Sequence, residues 1–151
     1  MPSVTAGLLK AQDLAGYRGH PVYIRNAANV PPPVEAVRHM MPAMFERLES
    51  EPQACVRAVL EHFAFVFTHP YPDGNGRMGR FLMNAMMASG GYPWRVIDLE
   101  HCSGYMAALD ESNSRKNIVP FAAFVAFNMR REVDLFKDKR CSAKGSVGRR
   151  R

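Results

Sequence analysis

Twelve consecutive residues concentrate groups that can do chemistry: His69-Pro70-Tyr71-Pro72-Asp73-Gly74-Asn75-Gly76-Arg77-Met78-Gly79-Arg80. His69 has an ordinary pKa near 6.5 and can serve as a base around neutrality. Asp73 offers oxygen ligands suited to Mg2+. Gly74 and Gly76 remove side chains just ahead of an expected helix start, so the backbone can approach an anion and adopt positive φ. A helix N-terminus presents unpaired N–H groups and the positive end of the helix dipole. Arg77 and Arg80, three residues apart, share a face at that same end. Cations there oppose the dipole, so two of them suggest an anion between them, and Arg matches phosphate oxygens in bidentate fashion. A base, a metal carboxylate, an anion nest and two Arg together point to phosphoryl or nucleotidyl transfer.

Two other phosphate-binding patterns fit poorly. Gly74-x-Gly76-x-x-Gly79 matches a dinucleotide fingerprint, with Asp98 beyond it, but that site needs a preceding strand and a βαβ unit. The preceding stretch instead has helical period, and Arg77 and Arg80 would crowd the turn. No G-x-x-x-x-G-K-[ST] segment exists, which excludes a P-loop.

The elements that must carry this segment read as helices. Ala, Leu and Met outnumber Val, Ile and Thr by 37 to 18, which favours helix over strand. A short helix is expected over Val4–Ala15. Tyr17–Asn26 suggests a small hairpin, with an irregular loop as the alternative. Pro31-Pro32-Pro33 leads into a helix carrying Val34, Val37 and Met41. Pro42 is expected to break it before a second short helix over Ala43–Glu49. After Pro52, Val56, Val59, Leu60, Phe63 and Phe67 form an apolar stripe at helical spacing. That helix must stop near Thr68, because Pro70 and Pro72 cannot continue it. The next begins around Gly76 or Arg77 and ends at Gly90-Gly91. Ser103–Asn113 and Phe121–Phe136 read as two more helices.

Length and charge bound the rest. The chain has 151 residues, a single domain's worth. Its net charge is +6. Between Lys137 and Arg151 there are seven basic residues and one acid, so this tail carries the whole excess and residues 1–136 are neutral. A neutral body weighs against a nucleic-acid surface, leaving only nonspecific tail contacts. The tail is expected to be disordered. Cys55, Cys102 and Cys141 form no C-x-x-C pair, so neither a zinc site nor a disulfide framework is indicated. A reducing, cytoplasmic setting is the expectation. No apolar run reaches the roughly 18 residues of a membrane span, and residues 1–15 show no secretory signal.

The twelve-residue segment resembles the signature of the Fic (Fic/Doc) family, H-P-F-x-[DE]-G-N-G-R-x-x-R. It matches every fixed position except Tyr71, where Phe is usual and the ring is kept. Ala15-Gly16-Tyr17-Arg18 through Pro31-Pro32-Pro33 resembles the family's flap region. Phe81-Leu82-Met83-Asn84 and Gly91-Tyr92-Pro93 resemble the helix and turn after the motif. The resemblance covers roughly residues 4–130. It implies a compact all-α domain over residues 1–136 with one small β-hairpin flap at about 17–28 and the motif loop at 69–80.

The resemblance further implies protein adenylylation, the transfer of AMP from ATP to a hydroxyl side chain of a target protein. His69 would be the base and Asp73 the Mg2+ ligand. Gly74, Asn75 and Gly76 would form the anion nest, with Asn75 also touching the α-phosphate, and Arg77 and Arg80 would hold the β- and γ-phosphates. The flap residues Val22, Tyr23, Ile24 and Arg25 would dock the target by strand addition. Tyr105 and Asn113 sit where the family places nucleoside contacts. The kinase-like Doc branch has Lys at the position of Gly76, so AMP transfer is the preferred reading. The competing reading is an idle or partner-dependent module that binds nucleotide or protein without turnover.

Many relatives carry an inhibitory [ST]-x-x-x-E-[GN] motif, and no Glu here is followed by Gly or Asn. Self-inhibition in cis is therefore not expected. Such relatives also have more chain before the flap, so this chain is expected to be a truncated form. Beyond ATP and a target, the partners the resemblance allows are a second copy and a separate inhibitory chain.

Overall fold

The computed structural model describes residues 16–24, 30–94, 102–131 and 134. The helix expected over Val4–Ala15, Arg25 of the flap and the basic tail lie outside them. Five helices follow one another: α1 Val34–Ser50, α2 Ala54–Thr68, α3 Asn75–Ser89, α4 Cys102–Arg115, and α5 beginning at 119 and followed to 131. Regular structure among the described residues is helical throughout, the all-α class the residues indicated.

The α2–α3 pair forms the centre. On one side Val37, Met41, Met44 and Leu48 of α1 pack with Phe65 of α2, flanked by Tyr71, Leu82 and Met86. On the other, Ala58, Met83 and Met87 meet Tyr105 and Leu109 of α4 and Phe121 and Val125 of α5. Phe121 N–H donates to Ser112 Oγ at 3.0 Å, tying the start of α5 to α4. No helix among the described residues is long and apolar enough to cross a membrane.

Three expectations need correction. The break at Pro42 does not occur, and α1 runs on to Ser50 with Pro42 inside it. Pro42 and Arg38, whose carbonyl loses its intrahelical partner, both face solvent, so water can satisfy the freed oxygen. The buried residues Met41 and Met44 hold the helix to the core on both sides of the proline.

The stripe Val56, Val59, Leu60, Phe63 and Phe67 is only in part the inner face of α2, through Val59 and Phe63, which are half-buried against the core. Val56 and Leu60 are exposed, and Ala58, Glu61, His62, Phe65 and Thr68 are buried instead. A helix flanked on two sides is apolar almost all round, and its periodicity does not single out a face. Val56 and Leu60 line an open apolar groove of about 540 Å³, with Ile118, Ala122, Val125 and Met129 opposite. Third, the hairpin expected at about 17–28 falls within the described residues only as far as residue 24, and residues 16–24 form no strand, although exposure alternates along 21–24 as in an extended chain. An isolated two-stranded hairpin is marginal in water.

Burial of Glu61 has a measurable consequence. Neither carboxyl oxygen has a hydrogen-bond partner among the described residues, and burial pushes the pKa from 4.5 up to about 8. The unfolded chain therefore binds fewer protons than the fold between these values, and stability falls as pH rises across that window. Glu61→Gln should stabilise the protein by ~3 kcal/mol at pH 7 and by little below pH 4.5. Urea denaturation of both proteins at pH 5 and pH 7.5 reads this difference, and an equal gap at the two pH values would contradict it.

Candidate active site

The motif occupies the turn from α2 to α3. His69 caps α2 in the left-handed conformation, φ 50° and ψ 57°. Its N–H donates to Phe65 O at 2.9 Å, and ring Nδ1 lies 3.4 Å from Val66 O. A carbonyl can only accept, so Nδ1 carries the hydrogen and Nε2 of the neutral ring keeps its lone pair. The ring's pKa is lowered, chiefly by burial; the Val66 contact opposes this, the Arg18 guanidinium adds to it, and Asp73 opposes it again. The half-buried imidazole is thus kept neutral near pH 7, the form a base requires.

The loop is stapled by its own motif. Asn75, 1% exposed, accepts from Tyr71 N–H at 2.9 Å and donates to Tyr71 O at 2.7 Å. Both atoms of its side-chain amide are thereby committed to the loop, which leaves its backbone N–H at the start of α3. Gly74, with φ 81°, is the N-cap of α3. This conformation suits glycine, and it leaves the N–H groups of the first turn without intrahelical partners.

Both guanidinium groups overhang this helix end. A methyl group on Gly74 would lie 3.8 Å from Arg77 Nη2, and one on Gly76 would lie 3.5 Å from Arg80 Nη1. Arg77 pairs with Asp73 at 3.6 Å, and both side chains are largely exposed. Such a pair contributes little to stability and can yield to a phosphate. Arg80 stands with its Cζ 6.0 Å from the centre of the Tyr105 ring.

Tyr105 is buried, and its hydroxyl lies 2.9 Å from His62 Nε2. It therefore sits behind Arg80. Asn113 lies roughly 12 Å of helix further along α4, with a buried Oδ1 that has no hydrogen-bond partner among the described residues. Val22 and Ile24 are half-buried, and Tyr23 is exposed.

Sequence reasoning missed two supports. His62 is fully buried, stacks on Phe121 with ring centres 5.2 Å apart, and its pKa is lowered to about 4 by burial first. A methyl on Gly79 would lie 3.1 Å from His62 Nδ1 and 3.2 Å from Val66 Cγ2, so α3 passes close against α2 there. Arg18, 51 residues before His69, donates from Nε to His69 O at 2.8 Å. Neither could be found from spacing: His62 lies off the apolar stripe, and the Arg18 contact is long-range.

The Fic/DOC family profile matches residues 5–87. The protein adenylyltransferase Fic of Nematostella vectensis is 33% identical over 124 residues, which is 80% of this chain and 28% of that protein. The protein adenylyltransferase Fic of Drosophila virilis is 32% identical over 124 residues, 80% of this chain and 25% of that one. This chain thus spans about a quarter of the length of these relatives. Among solved structures, a Fic family protein from Desulfovibrio desulfuricans shares the fold with a TM-score of 0.76 at 24% identity, covering 89% of this chain and 44% of that chain. Fic-1 from C. elegans gives a TM-score of 0.68 at 27% identity over 82% of this chain and 38% of that chain.

The Asn75 staple predicts a stability effect. Asn75→Ala removes two hydrogen bonds and leaves the Tyr71 backbone groups unpaired, which should cost ~2–3 kcal/mol. A urea midpoint equal to that of the parent chain would rule out the staple.

Proposed function

The chain belongs to the Fic/DOC family, and from that membership we propose that it is a protein adenylyltransferase acting on ATP and a hydroxyl side chain of a target protein. The observation that carries this reading is one turn holding both halves of the chemistry. A neutral His69 with a free Nε2 lone pair ends α2, and an N-terminal nest overhung by Arg77 and Arg80 begins α3. The names of the similar proteins give the same reaction class.

In this mechanism the ATP phosphates lie on the N–H groups of Asn75, Gly76 and Arg77. Arg77 and Arg80 hold the β- and γ-phosphates, with Arg80 steadied by Tyr105. The target hydroxyl gives its proton to His69 Nε2 as its oxygen bonds to the α-phosphorus. The bond from that phosphorus to the oxygen bridging to the β-phosphate breaks, and pyrophosphate leaves. The rate gain comes from positioning and charge neutralisation.

Asp73 is the residue that would hold Mg2+. Its exposed carboxylate stands next to the nest, and among the described residues no group of three or more His, Cys, Asp or Glu gathers elsewhere as a metal cluster. One carboxylate fits Mg2+, which characteristically takes one or two protein carboxylates and completes its shell with phosphate oxygens and water. When bound, the ion neutralises phosphate charge. The segment Val22–Ile24, along which exposure alternates, supports target docking by strand addition. Gly76 favours AMP transfer over phosphorylation.

Label transfer from ATP tests this reading. Label at the α-phosphate should reach protein, and label at the γ-phosphate should not; the reverse result would point to a kinase-like reaction. His69→Ala should lower transfer by ~10²–10⁴-fold with ATP affinity nearly unchanged. Arg80→Ala should weaken ATP binding by ~10-fold or more. Because the His69 pKa is lowered, kcat/KM should hold its plateau below pH 6.5 and fall only as the ring protonates at lower pH.

A further inference from the structure

The end of α2 has a chemical difficulty. The last turn of a helix leaves carbonyl oxygens without donors, and Pro70 and Pro72 have no N–H to offer. His69 is also strained, since it is not glycine, has positive φ, and precedes proline. Such conformations are unfavourable and persist only where the surroundings enforce them.

One residue answers all of this. Arg18 is 2% exposed. Its Nε donates to His69 O at 2.8 Å, its Nη2 to Thr68 O at 3.5 Å, and its backbone N–H to Pro70 O at 2.7 Å. The carbonyls of three consecutive residues are therefore held by a single side chain and its own amide. The remaining donors reach His20 O, at 3.3 Å, and Pro32 O, binding the two ends of the flap region to the same point. The planar fork suits this divergent set of acceptors, and a lysine ammonium could not span it. A cation at a helix C-terminus is also favoured by the dipole.

We propose that Arg18 is a positioning residue for His69: it holds the strained turn that presents the imidazole, and it couples that turn to the target-docking flap. This rests on the reading of His69 as the base. Arg18 and Asp73 are the charged groups that act on the ring, with opposite signs, so loss of Arg18 would alter both the ring's placement and its electrostatic surroundings. The phosphate nest belongs to α3 and is held by Asn75, so ATP binding should be insensitive to Arg18.

The test compares the parent chain with Arg18→Lys and Arg18→Met. In AMP transfer, kcat should fall by ~10²-fold in Arg18→Lys, while the ATP dissociation constant measured by calorimetry stays within about twofold. A simple strut would instead lower the melting temperature and leave kcat per folded molecule unchanged, and that result would overturn the proposal. So would a parallel loss of kcat and ATP affinity. Where Arg18→Met does not fold, Arg18→Lys decides alone. Nitrogen-15 NMR of the His69 ring gives a readout free of turnover. A single Nδ1–H tautomer is expected in the parent, with mixed tautomers in the variants. An unchanged spectrum overturns the proposal. A changed spectrum in a chain that transfers no AMP supports the positioning role and sinks the adenylyltransferase reading instead.

Discussion

Between Thr68 and Asn75 the chain must pass from the negative end of one helix to the positive end of the next, through two prolines that can donate no hydrogen bond. The rest of the molecule is arranged around that constraint. Carbonyls at the end of α2 need donors, and Arg18 supplies them from a distant part of the chain. N–H groups at the start of α3 are left without intrahelical partners, the general feature by which helix N-termini attract anions. Asn75 holds the connecting loop at Tyr71 so that these two ends keep a fixed relation.

The packing serves the same end. α2 and α3 approach closely where Gly79 passes His62 and Val66. His62 in turn holds the Tyr105 hydroxyl, and the Tyr105 ring underlies Arg80. A contact chain thus runs from the core of α2 through α4 to the Arg80 guanidinium on the first turns of α3. α1 closes the opposite side and fixes Tyr71 from behind, beside Phe65. The helices therefore hold His69 and the start of α3 from two directions.

Burial sorts the ionisable groups. Glu61 is pushed up to about 8, and His62 and His69 are both pushed down, in each case chiefly by burial. All three are therefore neutral near pH 7, whereas the Arg18 guanidinium brings a buried positive charge to the end of α2, where carbonyl oxygens hold it. Positive charge at the site comes from Arg77 and Arg80 at the edge of α3.

The sequence by itself determined the local features. The prolines and glycines set where α2 ends and α3 begins, and the fixed positions of the motif singled out His69, Asp73, Arg77 and Arg80 as candidates without any tertiary information. Helical composition gave the all-α class. These are read from nearest neighbours, because capping, φ preference and periodicity act within a few residues. Tertiary structure decided what lies beyond that range. Pro42 stays within α1 because buried neighbours hold both sides of it. The buried face of α2 is set by two packed layers, since its own pattern is apolar nearly all round. Arg18, His62 and Tyr105 acquire their roles only when segments 20 to 50 residues apart meet. Such contacts follow from packing and from the demand of buried polar groups for partners, and neither leaves a periodic trace in the chain.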